Sequence, residues 1–187
     1  YAQGAPDDRD ADYAIGHILL ERNDPGGLVH LERAMEQFSL ALPACELAYD
    51  YWLRAGERDR ADLWRRRGEG FIDVADRANA ERESLSPGDT FLPSDLPAEE
   101  HRRLSESLAQ VDGVKHAWVA KKQVSHLKEH PLYVIAIAPR GLLASGDRLI
   151  EALAQQVETR EATYFVATAG GSQAIGKKVA KAGTRLF

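Results

Sequence analysis

The sequence predicts an α+β protein of two domains, in which α-helical hairpins are followed by a small α/β sandwich with a mixed sheet. Three observations support this prediction. Apolar residues of the first half recur at helical spacing, apolar runs of the second half alternate with helical stretches, and a Ser/Pro-rich segment separates the halves. We therefore expect a helical domain at 1–85, a hinge at 86–96 and an α/β domain at 97–187.

The helical half contains a repeat of about 33 residues. Two units that combine a turn with apolar residues are related by the same step, 33 residues from Leu28 to Ala61 and 33 from Leu31 to Trp64. Such a period is typical of stacked helix pairs, whose usual function is to hold another polypeptide. We therefore expect the hairpins to be tetratricopeptide-like.

Four helices are expected in this half. The first covers residues 12–21. The second carries apolar residues at steps of 3, 4, 3 and 4 from position 28 to position 42, and it should end at Pro43, which cannot continue the hydrogen-bond pattern. The third covers about 47–55 and the fourth about 59–84.

Two glycines, Gly68 and Gly70, lie inside the fourth helix. Each costs about 1 kcal/mol relative to alanine in a helix interior. We expect that a neighbouring helix approaches closely at these positions.

The second half alternates helices with strands. Residues 132–138 are apolar at every position, which is typical of a strand in the centre of a sheet. The other expected elements are, in order, a helix that starts at Pro97, a strand at 114–124, a helix with apolar residues at 149–157, a strand at 162–168, a helix at 173–182 and a short strand at 185–187.

The charge is divided unevenly between the halves. Residues 1–96 contain 11 Arg, no Lys and 20 Asp or Glu, a net charge of −9, whereas residues 97–187 carry +4. An acidic helical half argues against nucleic acid as a ligand, because phosphate contacts dominate such binding. No apolar run approaches 18 residues, so we expect no membrane insertion by this chain.

The single cysteine, Cys45, excludes an internal disulfide framework and is compatible with a reducing compartment. The chain begins at Tyr1 and its only methionine is Met35, so we expect a fragment or a processed product. A cytoplasmic location is favoured for this fragment. Tethering to a membrane through an absent upstream region remains open.

The string His-Leu-Lys-Glu-His at 126–130 matches the H-x-x-E-H pattern of inverted zinc peptidases. That mechanism needs both imidazoles on one face of a helix. Pro131 follows directly and disfavours helix at His130, and the string joins two β-rich runs. We therefore expect a connecting loop and assign no metal ligand.

A Gly-rich turn before the last helix has the G-x-x-x-x-G-K spacing of a phosphate-binding loop. Gly171, Ser172, Gly176 and Lys177 would be its phosphate-binding residues. Lys178 stands where such loops carry the Ser or Thr that holds magnesium, which argues against NTP hydrolysis. The spacing of the turn leaves phosphate or nucleotide binding, by a sensor or an enzyme, as an alternative function.

Several stretches resemble the region that follows the protease domain in some bacterial HtpX-like zinc metallopeptidases. They are Ala14-Ile15-Gly16, Asp24-Pro25-Gly26-Gly27-Leu28, Leu31-Glu32-Arg33-Ala34-Met35, Ala55-Gly56, Ala80-Glu81-Arg82 and Pro131-Leu132-Tyr133-Val134. The second half also resembles, more loosely, the C-terminal domain of SseB-like proteins. The first resemblance implies that catalysis and zinc lie upstream, since the sequence contains no H-E-x-x-H, so we assign neither a catalytic residue nor a cofactor to this fragment.

These observations lead to the hypothesis of a non-catalytic protein-interaction module that binds a polypeptide partner or a protease substrate. Polar or aromatic positions beside the buried stripes of the first and third helices are the candidate contacts, namely Tyr13, His17, Tyr49 and Asp50. A homodimer formed through the α/β domain is a further alternative.

Overall fold

A computed structural model describes residues 8–141 and 146–187 and confirms an α+β fold. The chain divides into two compact units, of which the first ends at Arg77 and the second runs from Ala78 to Phe187. The boundary lies within the long helix α4 (Arg58–Glu83), so the last part of this helix belongs to the second unit.

The first unit is helical. It contains α1 (Arg9–Glu21), α2 (Gly27–Ala34), α3 (Phe38–Arg54) and the larger part of α4. Small side chains form half of its main core cluster, whose buried members are Leu20, Leu31, Met35, Ala41, Ala44, Cys45, Ala48 and Tyr51. The tetratricopeptide-like character of these helices stays a prediction.

Helices α1 and α2 touch at two glycines. A Cβ atom added to Gly27 would lie 2.5 Å from the carbonyl oxygen of Gly16, and one added to Gly16 would lie 2.7 Å from Cδ2 of Leu31. No side chain fits at such distances without moving its neighbours. The two glycines therefore set how closely these helices pack.

The prediction of one helix ending at Pro43 was wrong. Helix α2 ends at Ala34, a turn follows, and α3 begins at Phe38 and continues through Pro43 to Arg54. Proline removes one helical hydrogen bond, at a cost of about 3 kcal/mol. The helix continues because its buried stripe, which includes Ala41 before the proline and Ala44 after it, stays packed in the core.

The second unit is built on a mixed sheet. Its elements are β1 (Phe91–Pro93), α5 (Ala98–Ala109), β2 (Val114–Lys122), β3 (Leu132–Pro139), α6 (Gly146–Gln156), β4 (Ala162–Ala167), α7 (Gln173–Ala182) and β5 (Thr184–Arg185). The strand order is β1-β2-β3-β4, and β5 pairs with β2. Only β3 and β4 pair in parallel among the described pairs. The central position predicted for β3 is confirmed, and its residues from Leu132 to Ile137 are buried.

Helices cover both faces of this sheet. On one face Leu104 and Leu108 of α5 and Leu153 of α6 pack with Ile135 and Ile137 of β3. On the other face Val179 of α7 packs with a second cluster, formed by Phe91, Ala120, Val134, Ala136 and Val166. The sheet is therefore the middle layer of a sandwich.

The segment 86–96, for which the sequence predicts a hinge, lies inside the second unit and contains β1. Phe91 pairs with Lys122, and Pro93 pairs with Ala120. A proline is tolerated at an edge strand because its missing N–H is not needed on the outer side. Three residues carry too little periodicity for the strand to be recognised in the sequence.

In the described part of the chain, no helix combines the length and the apolar character that crossing a membrane would require.

Candidate functional site

An apolar groove lies between α3 and α4 in the first unit. We call it the α3/α4 groove; its volume is about 170 Å³. Each wall is one helix whose lining residues recur at spacings of three and four, so that they lie on one face. The lining residues are Leu42, Cys45, Glu46 and Tyr49 from α3, and Trp64, Arg65, Gly68, Glu69 and Ile72 from α4.

Gly68 forms the floor of this groove. A Cβ atom added there would lie 3.4 Å from Cβ of Cys45 and 3.4 Å from Cδ1 of Leu42, so α3 does approach closely at this position, as predicted. The same prediction was wrong for Gly70, where nothing lies within 4 Å of an added Cβ. The groove exists because the residue at position 68 has no side chain to fill it.

The groove has an apolar floor and a charged rim. Arg65 donates from Nε to Oδ1 of Asp62 at 3.2 Å and also pairs with Glu69. Glu46 is exposed and has no ion-pair partner among the described residues. Burial raises the pKa of the Cys45 thiol, so this cysteine behaves as an apolar lining group.

Large apolar side chains are exposed mainly on the first unit. Among the described residues, the exposed large hydrophobic side chains are Ile15, Ile18, Val29, Leu53, Leu63, Ile72 and Leu92. All but Leu92 belong to the first unit. Of these residues, Ile72 lines the α3/α4 groove.

Of the four candidate contacts from the sequence, only Tyr49 lines the groove. Tyr13 packs against the core from α1, and Nε2 of His17 lies 3.5 Å from Oε1 of Glu21 on the same helix. Asp50 is exposed on α3. The other lining residues were not predicted as contacts, and among them Trp64 and Ile72 flank Gly68 at four residues on either side.

The string at 126–130 lies in the connection between β2 and β3, as predicted. Arg82 donates to the carbonyl oxygens of His126, Leu127 and His130 at 2.7 to 3.0 Å. Glu81 accepts from the backbone amides of Ser125 and His126 and lies 3.1 Å from Nδ1 of His126. The end of α4 therefore anchors this loop, and within residues 8–141 and 146–187 no cluster of three His, Cys, Asp or Glu could hold a metal.

These contacts determine the charge state of Glu81. Partial burial by itself would raise the pKa of this carboxyl group. The hydrogen bonds from His126 and Ser125 oppose that effect and lower the pKa to about 2. Glu81 is therefore ionised at neutral pH, as its role of accepting three hydrogen bonds requires.

The Gly-rich turn is divided between a loop and a helix. Helix α7 begins at Gln173, so Gly176 and Lys177 lie inside the helix, while Gly171 and Ser172 precede it. A Cβ atom on Gly176 would lie 2.2 Å from the carbonyl oxygen of Ala167, so this glycine serves packing against β4. The hydroxyl oxygen of Ser172 accepts from the backbone N–H of Ala167 at 2.9 Å. A phosphate loop would instead direct these groups at its ligand.

A polar pocket of about 360 Å³ lies beside the start of α5 in the second unit. Tyr133 donates its hydroxyl to Asp95 at 2.6 Å, and Asp95 also accepts from Nζ of Lys121 at 2.6 Å. These two hydrogen bonds lower the pKa of Asp95, while burial and the charge of Asp95 raise that of Tyr133. In the same pocket, Arg103 lowers the pKa of Glu100. Asp95 is thus paired with Lys121, and Glu100 with Arg103.

Comparison of the chain with protein-family models, with curated proteins and with solved structures finds no match.

Proposed function

We propose that this chain is a protein-interaction module, and that its first unit binds an amphipathic helix of a partner polypeptide in the α3/α4 groove. The observation that carries the proposal is the groove itself, with an apolar floor between two helical walls. A helix that lays its apolar side into such a groove is a recurring mode of peptide recognition. Its anchoring side chain would sit over Gly68, between Trp64 and Ile72.

The charge of the chain indicates the chemistry of the partner. Residues 1–96 carry a net charge of −9 and contain no lysine. Glu46 on the rim has no cationic partner among the described residues. A partner helix with Lys or Arg beside its apolar face would pair with this carboxylate and would be attracted by the field of the acidic half.

The size of the groove sets the expected strength of binding. A volume of about 170 Å³ accepts few side chains, so one or two apolar anchors would supply most of the binding free energy. A short helical peptide should therefore bind weakly, with affinity concentrated in those anchors.

The test starts from a displayed library of helical peptides that carry Leu, Ile, Phe or Trp on one face and Lys on the other. Fluorescence anisotropy then measures binding of selected peptides to the full chain and to Ile72→Asp. A charge in the apolar groove should weaken binding by about tenfold or more. Ile15→Asp is the matched control, because Ile15 is 43% exposed against 44% for Ile72 and lies outside the groove.

Two results would contradict this function. The first is a selection that yields no peptide whose binding is weakened by Ile72→Asp. The second is an equal loss in Ile72→Asp and Ile15→Asp, since binding would then depend on general surface hydrophobicity. Circular dichroism of both variants confirms that they are folded.

We further propose that the polypeptide bound is a substrate or partner of a zinc metallopeptidase to which this module is attached. The resemblance to the region after the protease domain of HtpX-like enzymes supports this proposal. Sequencing the coding DNA upstream of Tyr1 tests it. An in-frame H-E-x-x-H helix with a downstream Glu is expected, and a start codon directly before Tyr1 would contradict it.

A further inference from the structure

Strand β4 is the last strand of the described sheet and pairs only with β3. The N–H of Thr168 donates to the carbonyl oxygen of Ile137 on β3 at 2.9 Å. Backbone groups of a strand point alternately to its two sides. Tyr164 therefore has its N–H and C=O directed at β3, whereas those of Thr163 and Phe165 are directed at the outer edge.

At each end of the outer edge of β4, one backbone group already has a hydrogen-bond partner. At one end the N–H of Ala167 donates to Oγ of Ser172 at 2.9 Å. At the other end the carbonyl oxygen of Glu161 accepts from Oγ1 of Thr163 at 2.9 Å. Between them, the N–H and C=O groups of Thr163 and Phe165 have no hydrogen-bond partner within residues 8–141 and 146–187.

The sequence of β4 lacks the residues that normally keep an edge strand unpaired. The residues of β4 are Ala-Thr-Tyr-Phe-Val-Ala, without a charge, a proline or a glycine. Natural edge strands are usually protected by lysine, proline, a bulge or a cover. Thr163, Tyr164 and Phe165 are instead partly exposed and have high β propensity.

We propose that β4 pairs with β4 of a second copy of this chain, in antiparallel orientation about a two-fold axis that passes at Tyr164. In this register Thr163 of each copy lies opposite Phe165 of the other, and each pair exchanges two hydrogen bonds. The N–H and C=O groups of Thr163 and Phe165 are then satisfied in both copies. This dimer is independent of the groove on the first unit and goes beyond the function proposed for it.

The neighbouring symmetric registers would use backbone groups that already have a hydrogen-bond partner. If Phe165 lay opposite Phe165 of the other copy, Thr163 would face Ala167, whose N–H already donates to Ser172. If Thr163 lay opposite Thr163 of the other copy, Phe165 would face Glu161, whose carbonyl oxygen already accepts from Oγ1 of Thr163. The register centred on Tyr164 pairs every outward N–H and C=O of Thr163 and Phe165 without using a backbone group that already has a partner.

A second copy fits this edge because the strand is complementary to itself. Its uncharged residues cause no like-charge repulsion when the strand lies against its own copy, and two tyrosines meet on the axis. A closed two-fold arrangement of this kind is the commonest form of homo-oligomer. A strand from another protein is the alternative occupant, and the experiments below separate the two.

Sedimentation velocity of the purified full chain over a range of concentrations tests for the dimer. The wild-type chain should show a monomer–dimer equilibrium. Thr163→Pro removes one outward N–H without removing a bond to β3, so it should shift the chain to monomer. Thr163→Val keeps the N–H and should remain dimeric.

Cysteine cross-linking tests the register and does not depend on the proline variant folding. Directly opposed residues in a non-hydrogen-bonded antiparallel pair have Cα atoms about 4.5 Å apart, within the range for a disulfide. Tyr164→Cys should therefore form a cross-linked dimer under mild oxidation. Thr163→Cys should not, because the two introduced cysteines would be diagonal neighbours about 7–8 Å apart. The native Cys45 is buried.

Three results would overturn the proposal. They are a wild-type chain that stays monomeric at all concentrations, a dimer that persists in Thr163→Pro, and a dimer in which Tyr164→Cys cross-links no better than Thr163→Cys. A monomeric wild-type chain whose β4 edge binds a foreign strand peptide would assign the edge to another partner.

Discussion

The two units of this chain form their cores from side chains of different size. In the helical unit, alanines and Cys45 make up half of the main cluster, and α1 meets α2 at glycines. In the sheet unit the cores are mostly Leu, Ile and Val, packed on both faces of β3. Six of the seven exposed large apolar side chains among the described residues belong to the helical unit, and the seventh, Leu92, belongs to the sheet unit.

This difference indicates which kind of contact each unit can offer. Helices held close together by small residues have little interior volume for large side chains, so those side chains remain available to a partner. A sheet with helices on both faces takes up its apolar side chains, and what remains available is backbone at the outer edge. The units also differ in buried charge. Among the described residues, the two buried charged side chains, Glu100 and Lys122, both belong to the sheet unit.

Of the substitutions proposed, replacing Lys122 by methionine should lower the free energy of unfolding most. Nζ of Lys122 donates to the carbonyl oxygens of Glu81 and Ser84 and pairs with Asp89 at 2.9 Å. Lys122→Met would remove this donor from both carbonyl oxygens and the buried cation from Asp89, and we expect a loss of about 3–5 kcal/mol in the free energy of unfolding. Urea unfolding followed by tryptophan fluorescence, to which Trp118 on the same strand contributes, measures it.

Lys121→Met is the matched control for this comparison. Lys121 pairs with Asp95, whose side chain is 58% exposed, so removing the pair should cost less than about 1 kcal/mol. Equal losses in the two variants would show that the buried position of Lys122 does not matter.

Adding one methyl group at Gly27 should reveal the close packing of the helical unit. A Cβ atom there would lie 2.5 Å from the carbonyl oxygen of Gly16. We expect Gly27→Ala to lower the free energy of unfolding by about 1–3 kcal/mol through overpacking. Gly70→Ala is the control, because it meets nothing within 4 Å and should stabilise the helix by up to about 1 kcal/mol. A Gly27→Ala variant with the same free energy of unfolding as the wild-type chain would contradict this prediction.

The stability of the sheet unit should depend on pH through Glu81. Its pKa is lowered to about 2 in the folded state, from an ordinary value of 4.5. The stabilisation is therefore present above about pH 4.5 and is lost as the pH falls towards 2. Glu81→Gln should cost about 1–3 kcal/mol near neutral pH and little near pH 2. Chemical unfolding of both proteins between pH 2 and pH 7 measures this, and a difference that does not change with pH would contradict it.

The smallest effect is expected at the exposed ion pairs of the helical unit. Arg65 pairs with Asp62 and Glu69, but all of these side chains are about half exposed. Solvent and salt screen such pairs. Arg65→Ala should leave the thermal unfolding midpoint unchanged within error, at low salt and at high salt alike. A clear loss at low salt alone would show that these charges contribute to folding.

Much of the fold could be predicted from the sequence, but less of the candidate site. The central strand at 132–138 and the helices at 59–84 and 173–182 were found because burial imposes a period on neighbouring residues. Gly68 was recognised as a point of close approach, which locates the floor of the groove. Its walls were missed, because Trp64 and Ile72 read as ordinary apolar helix positions until α3 is placed beside them.

The sequence by itself determined the class of the fold and the order of most of its elements, because helical and strand periodicity are local consequences of one buried side. Only the tertiary structure decided where α2 ends, that α3 continues through Pro43, and that three residues at Phe91 form a strand. Each of these depends on what packs or pairs from a distant part of the chain. The free edge at Thr163 and Phe165 is likewise a tertiary property, since the sequence of a strand does not state which of its sides is left without a neighbour.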